Sequence, residues 1–216
     1  MTALIAAGQP QINSGFSGVA PKAKLVAVRP NVSGKQVMGT LHIMEGLDHL
    51  FGLALQMQKR IIVNNSWGLF GCKNLILPCR VVITRAIAAM DKTNLILTCW
   101  AAGNNNRSCP QPNAYCMNTI PQSVCVGAVD FRRRHHGYSS VGGQCYPLVP
   151  TVVAPTGGVL PYGNSWRDFG AQGGGTSACS PQVAGALAIL DTAFPQATNA
   201  ELRAALRAGA LPLGSD

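Results

Sequence analysis

The chain has 216 residues, 47% of them hydrophobic and 12% charged, with 24 glycines and 14 prolines spread along its length. This is material for one buried core at a length usual for a single domain (1–216), and it excludes a low-complexity segment. The net charge of +9 comes from 17 Lys+Arg against 8 Asp+Glu, thinly scattered. Its one dense run, Arg132-Arg133-Arg134-His135-His136, reads as a solvated loop rather than a nucleic-acid surface.

In chain order, Met1-Thr2-Ala3-Leu4-Ile5-Ala6 reads as the middle of a helix with no capping residue before it. It has no basic leader of the kind a secretory signal carries. Lys24-Leu25-Val26-Ala27-Val28 is a short strand-like run after the Gly18-Val19-Ala20-Pro21 turn. From about Gly39 to Lys59 apolar residues recur at helical spacing, at Leu41, Met44, Leu47, Leu50 and Leu55. Ile61–Ser66 is expected as a buried strand, 81–92 as a helix, and Leu95–Cys99 and Ser123–Val129 as further strands. Turns and short extended pieces dominate Gly137–Gly174, with Val152–Pro155 the clearest. Helix returns at Thr176–Phe194, stops at Pro195, and resumes after Thr198-Asn199-Ala200-Glu201, a capping-box pattern. Continuous apolar strands alternating with helices predict an α/β fold, a mainly parallel sheet with helices on both faces. No stretch reaches the roughly 18 apolar residues of a membrane span.

Three of the eight cysteines, Cys99, Cys125 and Cys179, fall in apolar or small-residue stretches and read as buried thiols. Cys72, Cys79, Cys109 and Cys116 form two C-x₆-C pairs in loop-like sequence. Local disulfides Cys72–Cys79 and Cys109–Cys116 fit this spacing, but connectivity is not legible. Zinc spacing is missing, and the acid-poor composition offers few oxygens for calcium.

The most informative string is Gly175-Thr176-Ser177-Ala178-Cys179-Ser180-Pro181-Gln182-Val183-Ala184-Gly185. A Gly-rich approach to a serine at a helix N-terminus sets its hydroxyl among backbone N–H groups, where negative charge is favoured. Alone, it is equally an ordinary N-cap. Residue 179 is not Gly, so the G-x-S-x-G elbow of the α/β-hydrolases is excluded. Trp100-Ala101-Ala102-Gly103-Asn104 follows a strand. Its amide suits an oxyanion donor, although Asn104-Asn105-Asn106 also fits a plain turn.

Taken in order, these segments resemble the subtilisin-like serine proteases. The Ser177 string resembles that family's G-T-S-x-A-x-P-x-V-A-G, with Cys179 in place of Ala, and Ala101–Asn104 resembles its A-A-G-N. Three further matches agree in order: Gly18–Leu25 with the segment leading into a core strand, Asn64-Asn65-Ser66-Trp67-Gly68 with the N-x-S-x-G end of the groove-lining strand, and Gly127–Asp130, Tyr138–Gly142 and Ala154-Pro155 with the run ahead of the nucleophile. The resemblance implies a three-layer α/β/α peptidase fold in which Ser177 is the nucleophile and Asn104 an oxyanion donor. Ser66, Trp67, Gly68, Ala101, Ala102 and Gly103 would line the groove, and an extended polypeptide substrate would pair with Ser66–Gly68.

The same resemblance implies an Asp ending the first core strand and a His opening a helix. Met1–Ala6 resembles the continuation of that His helix, so the first strand, the His and the Asp are expected to be missing. His42 and His49 fit a helix surface, and His135 and His136 the basic loop. Asp130, Asp168 and Asp191 belong to later segments. A nucleophilic serine without a base is poorly activated, and the chain alone is expected to be nearly inactive and marginally stable. The competing reading is a non-catalytic peptide-binding or structural relative. Calcium and an extracellular location follow only from the resemblance.

Overall fold

The computed structural model describes residues 1–9, 17–29, 40–67, 77–105, 120–142, 149–157, 159–161, 169–171 and 174–213. Gly68, Cys72, Cys109, Cys116 and Asp168 lie outside them, as do the expectations placed there.

Four parallel strands form the sheet in the order β1 (Ile61–Asn65), β2 (Ile96–Ala101), β3 (Ser123–Val129) and β4 (Val152–Pro155). Every residue of β2 and β3 is buried. This double-sided burial is why their sequences run almost continuously apolar instead of alternating. Side-chain alternation along β2 sends Leu97 and Cys99 to one face and Ile96 and Trp100 to the other.

The first face is covered by α4 (Thr176–Ala193) and α5 (Asn199–Ala208) through Val183, Ala184, Leu187 and Leu202. The second is covered by α2 (Thr40–Met57) and α3 (Leu77–Lys92) through Ile43, Leu47, Leu50, Ala54, Ile83, Ile87 and Met90. The result is the expected three-layer α/β/α arrangement. A short α1 (Thr2–Ala7) packs on α4, and β5 (Val159–Pro161) pairs antiparallel with β6 (Phe169–Ala171).

Several boundaries differ from the expectation for local reasons. The apolar stripe of α2 is Ile43, Leu47, Leu50 and Ala54, while Leu41 and Leu55 are exposed. Leu47 and Leu50 were in the expected stripe, but the inward row passes through Ile43 and Ala54 in place of Leu41 and Leu55. Helix α3 begins at Leu77, so Cys79 is helical rather than in a loop. Pro78 occupies the first turn, where a missing N–H costs nothing. Lys24–Val28 is not in a strand: its backbone makes no hydrogen bond among the described residues, and Leu25, Val26 and Val28 are exposed.

Buried polar groups tie the helices to the sheet. Arg203 donates from Nη1 to Asp91 Oδ1 at 2.6 Å and from Nη2 to Oδ2 at 3.0 Å. Asn199 Nδ2 donates to Asp91 Oδ1 and to the Ile96 carbonyl, both at 2.8 Å. Arg60 pairs with Asp191 and the Ala197 carbonyl. At α5, the Thr198 hydroxyl accepts from the Glu201 N–H and the Glu201 carboxylate accepts from the Thr198 N–H, the capping box read from the sequence. Those hydrogen bonds, the Thr198 backbone N–H foremost, hold the Glu201 carboxyl below its ordinary pKa. In the basic loop, Asp130 accepts from the Arg132 and Arg134 N–H groups and from the Arg134 guanidinium. Arg132 and Arg133 remain exposed.

Candidate active site

The site forms where the C-terminal ends of β1 and β2 meet the N-terminus of α4, the end of an open α/β sheet at which ligands ordinarily bind. Gly175 turns the chain into α4 with φ of 91°, a conformation that L side chains avoid. A Cβ there would also lie 3.0 Å from Asn104 Nδ2. Both constraints require glycine. The turn is fastened by Tyr138, whose hydroxyl accepts from the Gly175 N–H at 2.7 Å and shares a 2.8 Å hydrogen bond with Thr156 Oγ1.

Ser177 is half-buried in the first turn. Its Oγ donates to the Ser66 carbonyl at 3.0 Å, and Ser66 Oγ donates back to the Ser177 carbonyl at 2.8 Å. Pro181 explains why that carbonyl is available. In a regular helix the N–H of residue 181 would bond the oxygen of residue 177, and proline has none. The Ser66 hydroxyl takes the vacated acceptor and locks the end of β1 to the helix that carries Ser177. Asn64 Nδ2 donates to Ser66 Oγ at 3.0 Å and steadies it.

Asn104 is held from α4. Its Oδ1 accepts from the Thr176 N–H at 2.9 Å and from Thr176 Oγ1 at 3.0 Å. A backbone N–H donates only, so the amide orientation is fixed: Oδ1 faces α4 and both Nδ2 hydrogens are left for a ligand. Thr176 Oγ1 in turn accepts from the Gly103 N–H at 3.0 Å. The Ser177 N–H, an orphan donor of the first turn, has no acceptor among the described residues. Asn104 Nδ2 and the Ser177 N–H thus remain as two donors beside one hydroxyl.

Of the residues predicted from sequence, Ser66, Ser177 and Asn104 are brought together, with Ala101, Ala102 and Gly103 buried behind them. The Trp67 side chain turns away from them, which leaves the expectation for the Ser66–Gly68 backbone untouched. Its ring packs edge-on to Trp100, centroids 5.1 Å apart, in the layer under α2 and α3. Three contributors were missed: Thr176, Tyr138 and Pro181. Each lies in a segment that carries the resemblance, Thr176 and Pro181 in the Gly175–Gly185 string and Tyr138 in the run ahead of it, but none was given a role there.

No histidine reaches Ser177 Oγ, whose partner is the Ser66 carbonyl. His42 and His49 lie on α2. His135 Nε2 meets the Ser139 carbonyl at 3.0 Å. His136 is nearer the site than its place in a surface loop suggested, since its ring lies 3.9 Å from that of Tyr138. It still touches a residue that positions Gly175, not the serine. Asp130 and Asp191 are engaged by Arg134 and Arg60. Cys179, two residues beyond the serine, points into the core with Sγ 3.2 Å from the Ala154 carbonyl, and burial pushes its thiol pKa up to about 12. It is an inert thiol at neutral pH. Calcium requires several convergent oxygens; among the described residues no three His, Cys, Asp or Glu side chains gather.

Over 204 residues the chain is 29% identical to Subtilisin NAT of Bacillus subtilis subsp. natto, covering 93% of this chain but 47% of that protein. Subtilisin of Bacillus pumilus is likewise 29% identical over 204 residues, covering 66% of its length. The chain therefore spans about half the length of the first of these relatives. Among solved structures, S41 psychrophilic protease superposes with a TM-score of 0.76 at 24% identity, over 96% of this chain and 67% of that one. The patellamide maturation protease PatA superposes with a TM-score of 0.75 at 22% identity, over 100% and 74%. The model of the subtilase family matches residues 1–215, and the chain belongs to that family of serine peptidases.

Proposed function

We propose that this chain is the serine-bearing part of an endopeptidase site acting on polypeptides, and that its general base comes from a polypeptide segment outside these 216 residues. Ser177 Oγ attacks the scissile carbonyl. Asn104 Nδ2 and the Ser177 N–H receive the oxyanion of the tetrahedral intermediate, and Ser66 holds the strand end against which an extended substrate lies. The observation that carries this reading is the junction at Thr176. One residue fixes the acceptor end of the Asn104 amide and precedes Ser177, so two donors are preorganised around one hydroxyl. Such donors stabilise charge only as it develops, which is the requirement for acyl transfer.

The base is the missing part. The Ser177 hydroxyl donates to a carbonyl, and a carbonyl does not take the proton. An imidazole brought to that hydroxyl must displace the Ser66 contact to activate the serine.

A peptide boronic acid tests the site without requiring turnover, because it forms a tetrahedral adduct with a nucleophilic serine. Boron NMR should show the tetrahedral adduct with the chain. The signal should be lost in Ser177→Ala and bind at least tenfold more weakly in Asn104→Ala. Peptide binding with trigonal boron, unchanged in Ser177→Ala, would instead establish the non-catalytic peptide-binding reading.

A further inference from the structure

The four strands are parallel, so their C-terminal ends share one end of the sheet. Ser66 follows β1 and Asn104 follows β2 there. At the same end Asp130 follows β3, whose Val126 lies in register with Ala101. The turn that β3 runs into, 130–135, is held by its own hydrogen bonds. Asp130 Oδ1 accepts from the Arg132 N–H at 2.8 Å and the Arg134 N–H at 3.0 Å, while Oδ2 takes the Arg134 guanidinium. The Asp130 N–H donates to the Arg134 carbonyl at 2.9 Å, and the Arg133 N–H to the Asp130 carbonyl at 3.0 Å.

The leg that returns from this turn is fixed to both sides of the candidate site. The Ser140 N–H donates to the Gly103 carbonyl at 2.9 Å, Ser140 Oγ accepts from the Asn105 N–H at 3.3 Å, and Tyr138 holds the Gly175 N–H. The turn and the donors at Asn104 and Ser177 therefore share their foundations. At the tip, Phe131 is 84% exposed, the most of any large apolar side chain among the described residues. Arg132 lies against its ring, with Cζ 5.4 Å from the centroid. Arg132 and Arg133 are exposed and make no ion pair among the described residues. Arg134 neutralises the carboxylate of Asp130, so two guanidinium charges stand uncompensated beside an apolar ring. Aromatic residues and arginine are the types that protein interfaces favour.

We propose that this tip is a docking point for an acidic segment of the polypeptide substrate, apart from the residues that meet the scissile bond. Its use by a substrate rests on the function proposed above; its affinity for acidic polypeptide does not. Carboxylates pair with Arg132 and Arg133, whose planar forks match carboxylate geometry, and an apolar neighbour in the segment covers Phe131. The net charge of +9 steers such a segment in from a distance. The place of the tip favours a polypeptide over an anionic bilayer. A chain engaged at Ser177 is tethered at the same end of the sheet, which raises the local concentration of its own acidic segment. Exposed ion pairs contribute up to about fivefold each, so the tip binds weakly alone and gains its effect from the tether.

The probe is a capped, fluorescent peptide of glutamates around one leucine, with a glutamine version as control, read by anisotropy at low salt. The variant is Arg132→Ser/Arg133→Asn. Both side chains are exposed, and asparagine tolerates the left-handed backbone at 133, where φ is 64°, so the fold is retained. The glutamate peptide should bind the chain and Ser177→Ala equally, and at least about fivefold more weakly in the double variant; the glutamine peptide should not bind. Each peptide is then joined to a peptide boronic acid through a flexible Gly/Ser linker of about 20 residues, long enough to remove any dependence on direction. The glutamate version should bind at least about threefold tighter than the glutamine version, and the double variant should abolish the gain. No binding of the glutamate peptide, or binding indifferent to the double substitution, overturns the tip as a site. Binding at the tip without a gain in the linked probe overturns its service to a substrate. Phosphatidylserine vesicles captured through Phe131 and the two arginines, with the peptide left free, would make a membrane surface the partner instead. Glutamate-peptide binding at the tip, with no boron adduct from any probe, upholds the affinity for acidic polypeptide and overturns the reading of Ser177.

Discussion

Replacing Thr176 with valine tests the junction on which the site is built. The side chain is fully buried, and valine reproduces its shape without the hydroxyl. Two hydrogen bonds vanish, from Thr176 Oγ1 to Asn104 Oδ1 and from the Gly103 N–H to Thr176 Oγ1. Asn104 is partly rescued because the Thr176 N–H still donates to Oδ1. Gly103 is not, because its N–H is buried and left without an acceptor. An orphaned buried donor costs about 1–3 kcal/mol and the second bond adds roughly 1, giving a loss of about 2–4 kcal/mol. For a domain of this size that corresponds to a fall in Tm of roughly 4–16 °C. Thermal denaturation followed by circular dichroism measures it, with Thr176→Ser as control: serine keeps the hydroxyl and loses only a methyl group, about 1 kcal/mol. Valine should melt clearly below serine. Equal melting temperatures, or valine above serine, would refute the claim that the hydroxyl links Gly103 to Asn104.

Asp91→Asn removes one partner of the buried pair with Arg203 and should destabilise the chain by about 3–5 kcal/mol, read from urea unfolding. Cys99 and Cys125 are held well above the ordinary thiol range by burial, and Cys179 at about 12 by the same cause. Below about pH 7 these thiols are protonated in both states and contribute no pH dependence. Above it the unfolded chain releases protons that the folded chain retains, so stability should fall with rising pH. Each thiol contributes up to about 1.4 kcal/mol per pH unit, and Cys179→Ala should reduce the slope between pH 9 and 11. An unchanged slope would contradict burial of that thiol.

The parallel sheet and its two helical layers were legible because β2 and β3 are apolar without interruption and the helices between them are periodic. The capping box at Thr198 was legible because it is a local pattern. What failed was local sequence standing in for tertiary context. Lys24–Val28 has the composition of a strand but no neighbour to bond with among the described residues. Leu41 and Leu55 fit a helical period whose phase is set by where α2 meets the sheet. At the site, Ser177 and Asn104 were recognisable by resemblance, since each sits in a distinctive string. Thr176 and Tyr138 stand in such strings too, but their roles rest on contacts across 72 and 37 positions of sequence, which no string shows. Trp67 was expected at the groove by its backbone, as part of Ser66–Gly68, and the direction of its side chain is a separate matter. Side-chain alternation at the strand end turned it to the opposite layer.

The reactivity of Ser177 towards a fluorophosphonate probe, measured in plain buffer and with added imidazole and mapped by mass spectrometry, tests the central claim most directly. Imidazole is a diffusible base of the kind that the proposed function draws from outside these residues. Labelling should be slow in buffer, rise with imidazole concentration, fall on a single peptide containing Ser177, and vanish in Ser177→Ala. Rapid labelling of Ser177 in buffer alone would mean that a base is already at hand, and labelling at any other serine would mean that the nucleophile has been misassigned.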